Sequence, residues 1–233
     1  ILMVFGVVTI TVANIMALMQ RDIKRLLAYS SIVNIGYILT GLGIGGYVLV
    51  HYSETAPEAA MSVAVFAIGG ALFHTLNHAI GKGLLFLCSG CFVHEAGTRD
   101  IAELEGIGRK MLFSGTSFTI GLLALAGVPP LSGFWSNLFI ILAGFSIPDD
   151  GILKLISIIM VINSIFAASY YLWLLQRIML KTPKSIGDKV AEAPFTMVLP
   201  VVLLAIACVV IGIWPGAIIR IATEATKVLL GGW

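Results

Sequence analysis

Long apolar runs, separated by short stretches that carry nearly all the charge, constrain this chain more than any other feature. A run of about 20 apolar residues is long enough for a helix to cross the ~30 Å hydrocarbon layer of a bilayer. The chain is 59% hydrophobic and 11% charged, which leaves too little charge to cover a soluble protein of this size. An outer-membrane barrel would show alternating segments of about ten residues, and these are absent. We therefore predict an all-α fold, a polytopic transmembrane helical bundle.

Six spanning segments are predicted from the apolar runs. They cover Leu2 to Met19, Leu26 to Val50, Ala60 to Val93, Met111 to Gly144, Ile152 to Gln176 and Phe195 to Trp214. The fourth is too long for one regular span and contains Pro129 and Pro130, whose rings clash with the preceding turn, so we expect that helix to break there. Residues 1–214 are the predicted transmembrane domain, and residues 215–233 a short C-terminal interfacial segment.

Basic residues gather in the loops at one end of the predicted bundle. Ten of the fourteen are on that side: Arg21, Lys24, Arg25, Arg99, Arg109, Lys110, Arg177, Lys181, Lys184 and Lys189. The positive-inside rule predicts that this side is cytoplasmic, in a chain integral to the cell (inner) membrane. A net charge of +2 gives no reason to expect a nucleic-acid partner, so the bilayer is the surrounding that the sequence predicts.

Two histidines and a lysine lie inside the third apolar run. His74, His78 and Lys82 recur every four residues, so on one helix they form a stripe with steps of about 6 Å. These steps are too long for direct hydrogen bonds, and we expect water to bridge them. Gly81 and Gly83 flank the lysine and predict room for that water. A proton path is the functional interpretation, because ionisable groups are costly in hydrocarbon; hydrogen-bonded packing residues are the alternative.

Polar residues on the neighbouring runs predict an interior face. Ser30, Asn34 and Tyr37 fall at helical spacing on one face of the second segment, where they face the lysine or join helices together. Asn77 lies one turn from His74. Asp22 is a candidate N-cap for the second helix, and Lys24 follows in its first turn.

Aromatic residues close the fifth segment, and the sixth has almost no polar feature. Tyr170, Tyr171, Trp173 and Arg177 suit the cytoplasmic membrane interface. The sixth segment is expected to be a lipid-facing cover.

Three stretches resemble a known family: DIKRLLAYSSIVNIGY (22–37), HTLNHAIGKGLLFLCSG (74–90) and GVPPLSGFWSN (127–137). They are similar, in the same order, to the antiporter-like membrane subunits shared by respiratory complex I, membrane-bound energy-converting hydrogenases and Mrp-type cation/proton antiporters. The resemblance implies the second of two inverted five-helix repeats plus one following helix. Because the first repeat is missing, and because the chain starts at Ile1 inside an apolar run, we expect a further segment or partner chain to supply it.

The resemblance also assigns residues to an ion path. The family's central hydrophilic axis corresponds to Lys24, His74, His78 and Lys82. After the broken helix the family usually places a lysine or glutamate, and this chain has Asn137, which cannot take up and release a proton at ordinary pH.

The leading prediction is translocation of a proton, or of sodium, within a redox-driven complex together with other membrane subunits. No cofactor motif is present, so redox chemistry is expected in those subunits. Alternatives are a structural half that no longer conducts and a subunit of an Mrp-type antiporter. A haem site is disfavoured because His74 and His78 share one helix. A metal site is disfavoured because no carboxylate joins that histidine pair, so none is assigned.

Overall fold

The computed structural model describes residues 1–183 and 190–231, and this part of the chain is helical apart from short connections. Its helices are α1 (Leu2–Leu18), α2 (Ile23–Tyr52), α3 (Pro57–Ala96), α4 (Leu112–Leu125), α5 (Ser132–Phe145), α6 (Gly151–Leu175), α7 (Phe195–Ile213) and α8 (Gly216–Leu229). A π-helical turn, Gln176–Leu180, continues α6. Within the described ranges no strand forms beyond one isolated bridge. The predicted all-α membrane bundle is confirmed.

Four helices are long and apolar enough to cross a bilayer: α2, α3, α6 with its π-helical turn, and α7. Helices α1, α4 and α5 are shorter apolar helices. Each of the six predicted segments corresponds to one helix, except the fourth, which forms the pair α4 and α5. The protein is an integral, multi-pass membrane protein.

The predicted helix break is present between α4 and α5. Gly127 has a φ of 75°, a left-handed conformation in which a side chain would be strained. Helix α7 packs against the break so closely that a Cβ added at Gly212 would lie 2.3 Å from the Pro130 carbonyl oxygen. The Trp135 indole N–H donates to the Gly212 carbonyl at 3.0 Å. These contacts hold the start of α5 at a fixed depth in the bundle.

Helix α3 is the centre of the fold, since α2, α4, α5, α7 and α8 all pack on it. Its 40 residues give a length of roughly 60 Å, well beyond the hydrocarbon thickness. Helix α1 packs on α2 and reaches α6, where Asn14 Nδ2 donates to both the carbonyl and the side-chain oxygen of Asn163, at 3.0 Å each. Because five helices pack on α3, its residues His74 and Lys82 lie buried inside the bundle.

Three predicted basic loops meet at one end of the molecule. The Ile23 N–H donates to the Arg99 carbonyl, and the Gly106 N–H donates to the Arg177 carbonyl. Asp22 caps α2 as predicted, accepting from the N–H of Lys24 at 2.8 Å. Lys184 and Lys189, which were assigned to the same side, lie outside the described residues, as do residues 232–233 of the predicted interfacial segment.

The sixth segment is only partly the lipid-facing cover that its sequence predicted. One face of α7 is buried against α3 and α4, through Val198, Val201, Ala205 and Cys208. The opposite face keeps its large apolar side chains exposed. The prediction was wrong about the first face because small and branched side chains pack against protein as readily as against lipid.

Candidate functional site

Lys82 is enclosed in the centre of the bundle, with a relative exposure of 5%. Its ammonium donates to the Leu27 carbonyl at 3.1 Å, to the Ser30 hydroxyl, and to the Tyr171 hydroxyl at 3.2 Å. An ammonium group has three N–H donors, so these three oxygens match it in number. All three partners are neutral. In its charged form the ammonium would be solvated by these neutral oxygens, and no carboxylate among the described residues pairs with it.

The space beside Lys82 is not a hydrated gap, which corrects the expectation from its flanking glycines. A Cβ added at Gly81 would lie 3.1 Å from the Leu125 side chain, and one at Gly83 would lie 3.6 Å from Leu204. The glycines allow α4 and α7 to approach α3. Glycine in a membrane helix indicates close contact with a neighbour as readily as it indicates room for water.

His74 lies two turns away from Lys82 along α3 and is 1% exposed. Its Nε2 is 3.1 Å from Asn34 Oδ1, and its Nδ1 is 2.9 Å from the Ser136 hydroxyl. Asn34 Nδ2 donates to the Ser30 carbonyl at 2.6 Å, so Asn34 presents its oxygen to the imidazole and accepts from it. His74 is thus held between α2 and α5 with both ring nitrogens engaged.

The surroundings of His74 suit both protonation states of the imidazole. When the ring is neutral, Nε2–H donates to Asn34 and the Ser136 hydroxyl donates to Nδ1. When the ring is charged, Nδ1–H donates to Ser136, whose hydroxyl can turn to the Gly133 carbonyl 3.3 Å away. The site can therefore gain or lose a proton without leaving a ring nitrogen unsatisfied.

Helix α2 connects the two ionisable groups. Ser30 accepts from Lys82 at its hydroxyl and from Asn34 at its carbonyl, and Asn34 accepts from His74. Residues of α2 therefore link this pair, which lies two four-residue steps apart, and the bridging of each single step by water stays a prediction.

His78 and Asn77 make fewer hydrogen bonds than expected from the regular spacing of His74, His78 and Lys82 along α3. His78 is partly buried, and its Nε2 has no hydrogen-bond partner among the described residues. Asn77 Nδ2 donates to the Ser132 carbonyl at 2.9 Å, which ties α3 to the first turn of α5. Its Oδ1 is buried and unpartnered in the same part of the chain.

Asn137 lines a small cavity of about 10 Å³ next to this network. Asn34, Tyr37, Ser164 and Tyr171 supply the other polar groups of the lining. The Tyr37 hydroxyl is 2.8 Å from that of Ser164 and donates to the Met160 carbonyl at 2.9 Å. Asn137 Oδ1 is buried and, within the described ranges, has no partner.

Lys24 lies apart from the network. It occupies the first turn of α2 and is partly buried. Six residues of helix, about 9 Å, separate it from Ser30, which accepts from Lys82. The structure brings together Lys82, Ser30, Asn34 and His74, and it leaves Lys24 at the basic end.

The aromatic residues of α6 were assigned to the membrane interface, and for two of them this is wrong. Tyr170 and Tyr171 are each 1% exposed. The periodicity of α6 could have located them, because Tyr170 follows Asn163 by seven residues and Tyr171 follows Ser164 by seven, which places each pair on one helical face. Ser136 was also missed, although it follows Ser132 by one turn.

No group of three or more potential ligands among the described His, Cys, Asp and Glu residues could hold a metal ion. The described cysteines, Cys88, Cys91 and Cys208, are free thiols in apolar surroundings. Both nitrogens of His74 are already engaged in hydrogen bonds.

Comparisons with known proteins agree with this architecture. The family described as "NADH:quinone oxidoreductase/Mrp antiporter, TM" matches residues 1–53 and 52–167. A Na(+)/H(+) antiporter subunit of Alkalihalophilus pseudofirmus is 35% identical over 221 residues, covering 91% of this chain and 27% of that protein. Formate hydrogenlyase subunit 3 of Escherichia coli is 34% identical over 219 residues, covering 91% of this chain and 35% of that protein.

Solved structures share the fold. A chain of the Mrp complex from Dietzia sp. matches 97% of this chain and 46% of its own length, with a TM-score of 0.81 and 19% identity. A chain of an archaeal membrane-bound sulfane sulfur reductase matches 97% of this chain and 41% of its own length, with a TM-score of 0.75 and 28% identity. The chain spans about a third or less of those two curated relatives and less than half of these structural ones. It belongs to the NADH:quinone oxidoreductase/Mrp antiporter family of membrane proteins.

Proposed function

We propose that this chain translocates protons across the membrane through the buried network that contains Lys82 and His74. The observation that carries the proposal is the hydrogen-bonded position of His74 between Asn34 and Ser136, which accepts the imidazole in both protonation states. A helix that only packed would not need an ammonium group and an imidazole in its buried centre, because each costs free energy to desolvate.

Within this proposal the residues have distinct roles. Lys82 and His74 carry the proton, and His78 forms a further station on the same stripe. Lys24 receives protons at the basic end, which we place on the cytoplasmic side of the cell membrane. Four polar residues orient the path: Asn34, Tyr37, Asn77 and Asn137. The break at Pro129 and Pro130 supports it, because non-helical backbone at membrane depth is tolerated where it is buried or lines a cavity.

We further propose that the host is a redox-driven complex of the NADH:quinone oxidoreductase or membrane-bound hydrogenase type. The likeness to formate hydrogenlyase subunit 3 and to a sulfane sulfur reductase chain supports this. Other membrane subunits, and a chain or segment that supplies the first repeat, complete the path. This chain binds no cofactor in the proposal, residues 1–214 form the transmembrane domain, and residues 215–233 lie at the interface.

The test is the substitution Lys82→Met in everted vesicles that contain the complete complex. Proton uptake on addition of the electron donor is expected to be lost while electron transfer continues. Lys154→Met is the matched control, because Lys154 lies in the first turn of α6, away from the network, and it should pump normally. An unchanged ratio of protons to electrons in Lys82→Met would leave the structural half, which does not conduct, as the remaining interpretation.

A second candidate is a subunit of an Mrp-type sodium/proton antiporter. The observation that favours it is the 35% identity to the Na(+)/H(+) antiporter protein of Alkalihalophilus pseudofirmus across 91% of this chain. The two candidates differ in what drives the movement of protons. Proton release from vesicles on addition of NaCl, in the absence of any electron donor, would select the antiporter; movement that requires the donor would select the redox-driven complex.

A further inference from the structure

Tyr171 connects α6 to the buried lysine. Its side chain is 1% exposed, its hydroxyl lies 3.2 Å from Lys82 Nζ, and the ammonium lies 5.5 Å from the centre of its ring. The hydroxyl accepts a hydrogen bond from the ammonium and keeps its own O–H to donate. Tyr171 can therefore receive a proton on one side and release one on the other.

Tyr171 also borders the cavity beside Asn137. Tyr171 is part of its lining, together with Tyr37, Ser164 and Asn34. A volume of about 10 Å³ is close to the space that one water molecule requires, and such a water needs two to four polar partners. The unpartnered Oδ1 of Asn137 is an acceptor that one water would satisfy. The size and the polar lining of the cavity both fit a single water.

We propose that Tyr171 relays protons from Lys82 to one water molecule in this cavity, which Asn137 orients. In the step, a Lys82 N–H proton moves to the Tyr171 oxygen while the Tyr171 O–H proton moves to the water. The tyrosine is neutral before and after, and the net change is one proton transferred from the ammonium to the water. This inference rests on the proposed function, and it gives Asn137 a role that needs no proton exchange of its own.

Tyr170 supplies a matched control. It is the adjacent residue on α6, it is equally buried, and its ring centre lies 4.7 Å from that of Tyr171. Within the described ranges its hydroxyl makes no hydrogen bond of normal geometry, although it lies near enough to the Tyr171 side chain to interact with it. Removing this hydroxyl tests the effect of a lost buried hydroxyl on α6 without breaking a contact to Lys82.

The experiment compares Tyr171→Phe, Tyr170→Phe and Lys82→Met in vesicles that contain the complete complex. We expect Tyr171→Phe to slow proton movement by at least about a hundredfold, the lower end of what a positioned proton donor contributes. Tyr170→Phe should keep the unsubstituted rate. Equal rates in the two tyrosine variants, with Lys82→Met inactive, would overturn the relay and leave the proposed path standing. A fully active Lys82→Met would overturn the path itself.

A second measurement separates proton relay from packing. Fluorotyrosine incorporated at position 171 keeps the shape and the hydroxyl of Tyr171 but makes the hydroxyl more acidic. A relay predicts that the pH profile of transport shifts with fluorotyrosine at 171 and does not shift with fluorotyrosine at 170. An unchanged profile at 171, even with a slow Tyr171→Phe, would overturn the relay, because a residue that only packs is insensitive to the acidity of its hydroxyl.

Discussion

The match between the three N–H donors of Lys82 and its three acceptors makes Ser30→Ala the sharpest test of how the charge is held. The substitution removes the hydroxyl that accepts from the ammonium and leaves the Leu27 carbonyl and the Tyr171 hydroxyl. A hydrogen bond to a charged group contributes about 1.5 to 3 kcal/mol. The charged form of Lys82 becomes less favourable by that amount in the variant.

This free energy converts directly into a shift on the pH axis. One pH unit corresponds to about 1.4 kcal/mol, so the pH at which transport is half-maximal should fall by about 1 to 2 units. The direction is downward because the variant needs a higher proton concentration to keep the lysine charged. The measurement is the initial rate of proton movement in vesicles across a series of pH values.

Ser31→Ala is the matched control for this prediction. The Ser31 hydroxyl donates to the Leu27 carbonyl at 3.0 Å, as the Ser30 hydroxyl does at 2.9 Å, but only Ser30 contacts Lys82. Ser31→Ala should therefore keep the pH profile of the unsubstituted protein. If both variants have the same midpoint as the unsubstituted protein, the ammonium does not depend on Ser30, and the proposed solvation of the charge is refuted.

Three further predictions concern stability, each measured as the free energy of unfolding of the purified membrane protein. Gly212→Ala should destabilise it by about 1 to 3 kcal/mol, because the new Cβ would meet the Pro130 carbonyl, whereas Gly46→Ala, with no atom within 4 Å, should be neutral or slightly stabilising. Asn14→Ala should cost about 1 kcal/mol through its lost hydrogen bonds to α6, and no change would contradict that contact. Asp150→Ala removes the N-cap of α6 and should cost about 1 kcal/mol. Burial alone would raise the pKa of the Asp150 carboxyl, but hydrogen bonds from backbone N–H groups and tyrosine hydroxyls outweigh it and lower the pKa. Its contribution is therefore present above the unfolded-state pKa and lost as the pH falls through the folded value, and the alanine variant should lack this pH dependence.

Features that belong to one helix could be predicted from the sequence. Apolar runs located the spanning helices, because a helix in lipid must satisfy its own backbone groups over the thickness of the bilayer. Pro129 and Pro130 located the break, since neither ring fits in a regular helix. Asp22 was recognised as an N-cap from its position alone, and the stripe of Ser30 and Asn34 on α2 was recognised as an interior face.

Contacts between helices could not be predicted in the same way. His74, His78 and Lys82 were assigned one role because they share a stripe, but the structure separates them: two are joined through α2, and the Nε2 of His78 has no partner among the described residues. Tyr171 reaches Lys82 across 89 positions of sequence. Spacing along a helix tells which side chains share a face, and it does not tell which neighbouring helix that face meets.

The sequence by itself determined that this chain is a multi-pass helical membrane protein with a broken helix and with ionisable residues in its centre, because each of these properties follows from local composition and periodicity. The tertiary structure alone decided that Ser30 and Asn34 of α2 link His74 to Lys82. It also decided that α4 and α7 pack beside Gly81 and Gly83, and that Tyr171 lines a cavity next to Asn137. The physical reason is that packing selects one arrangement of helix faces among many that the same pattern of apolar residues permits.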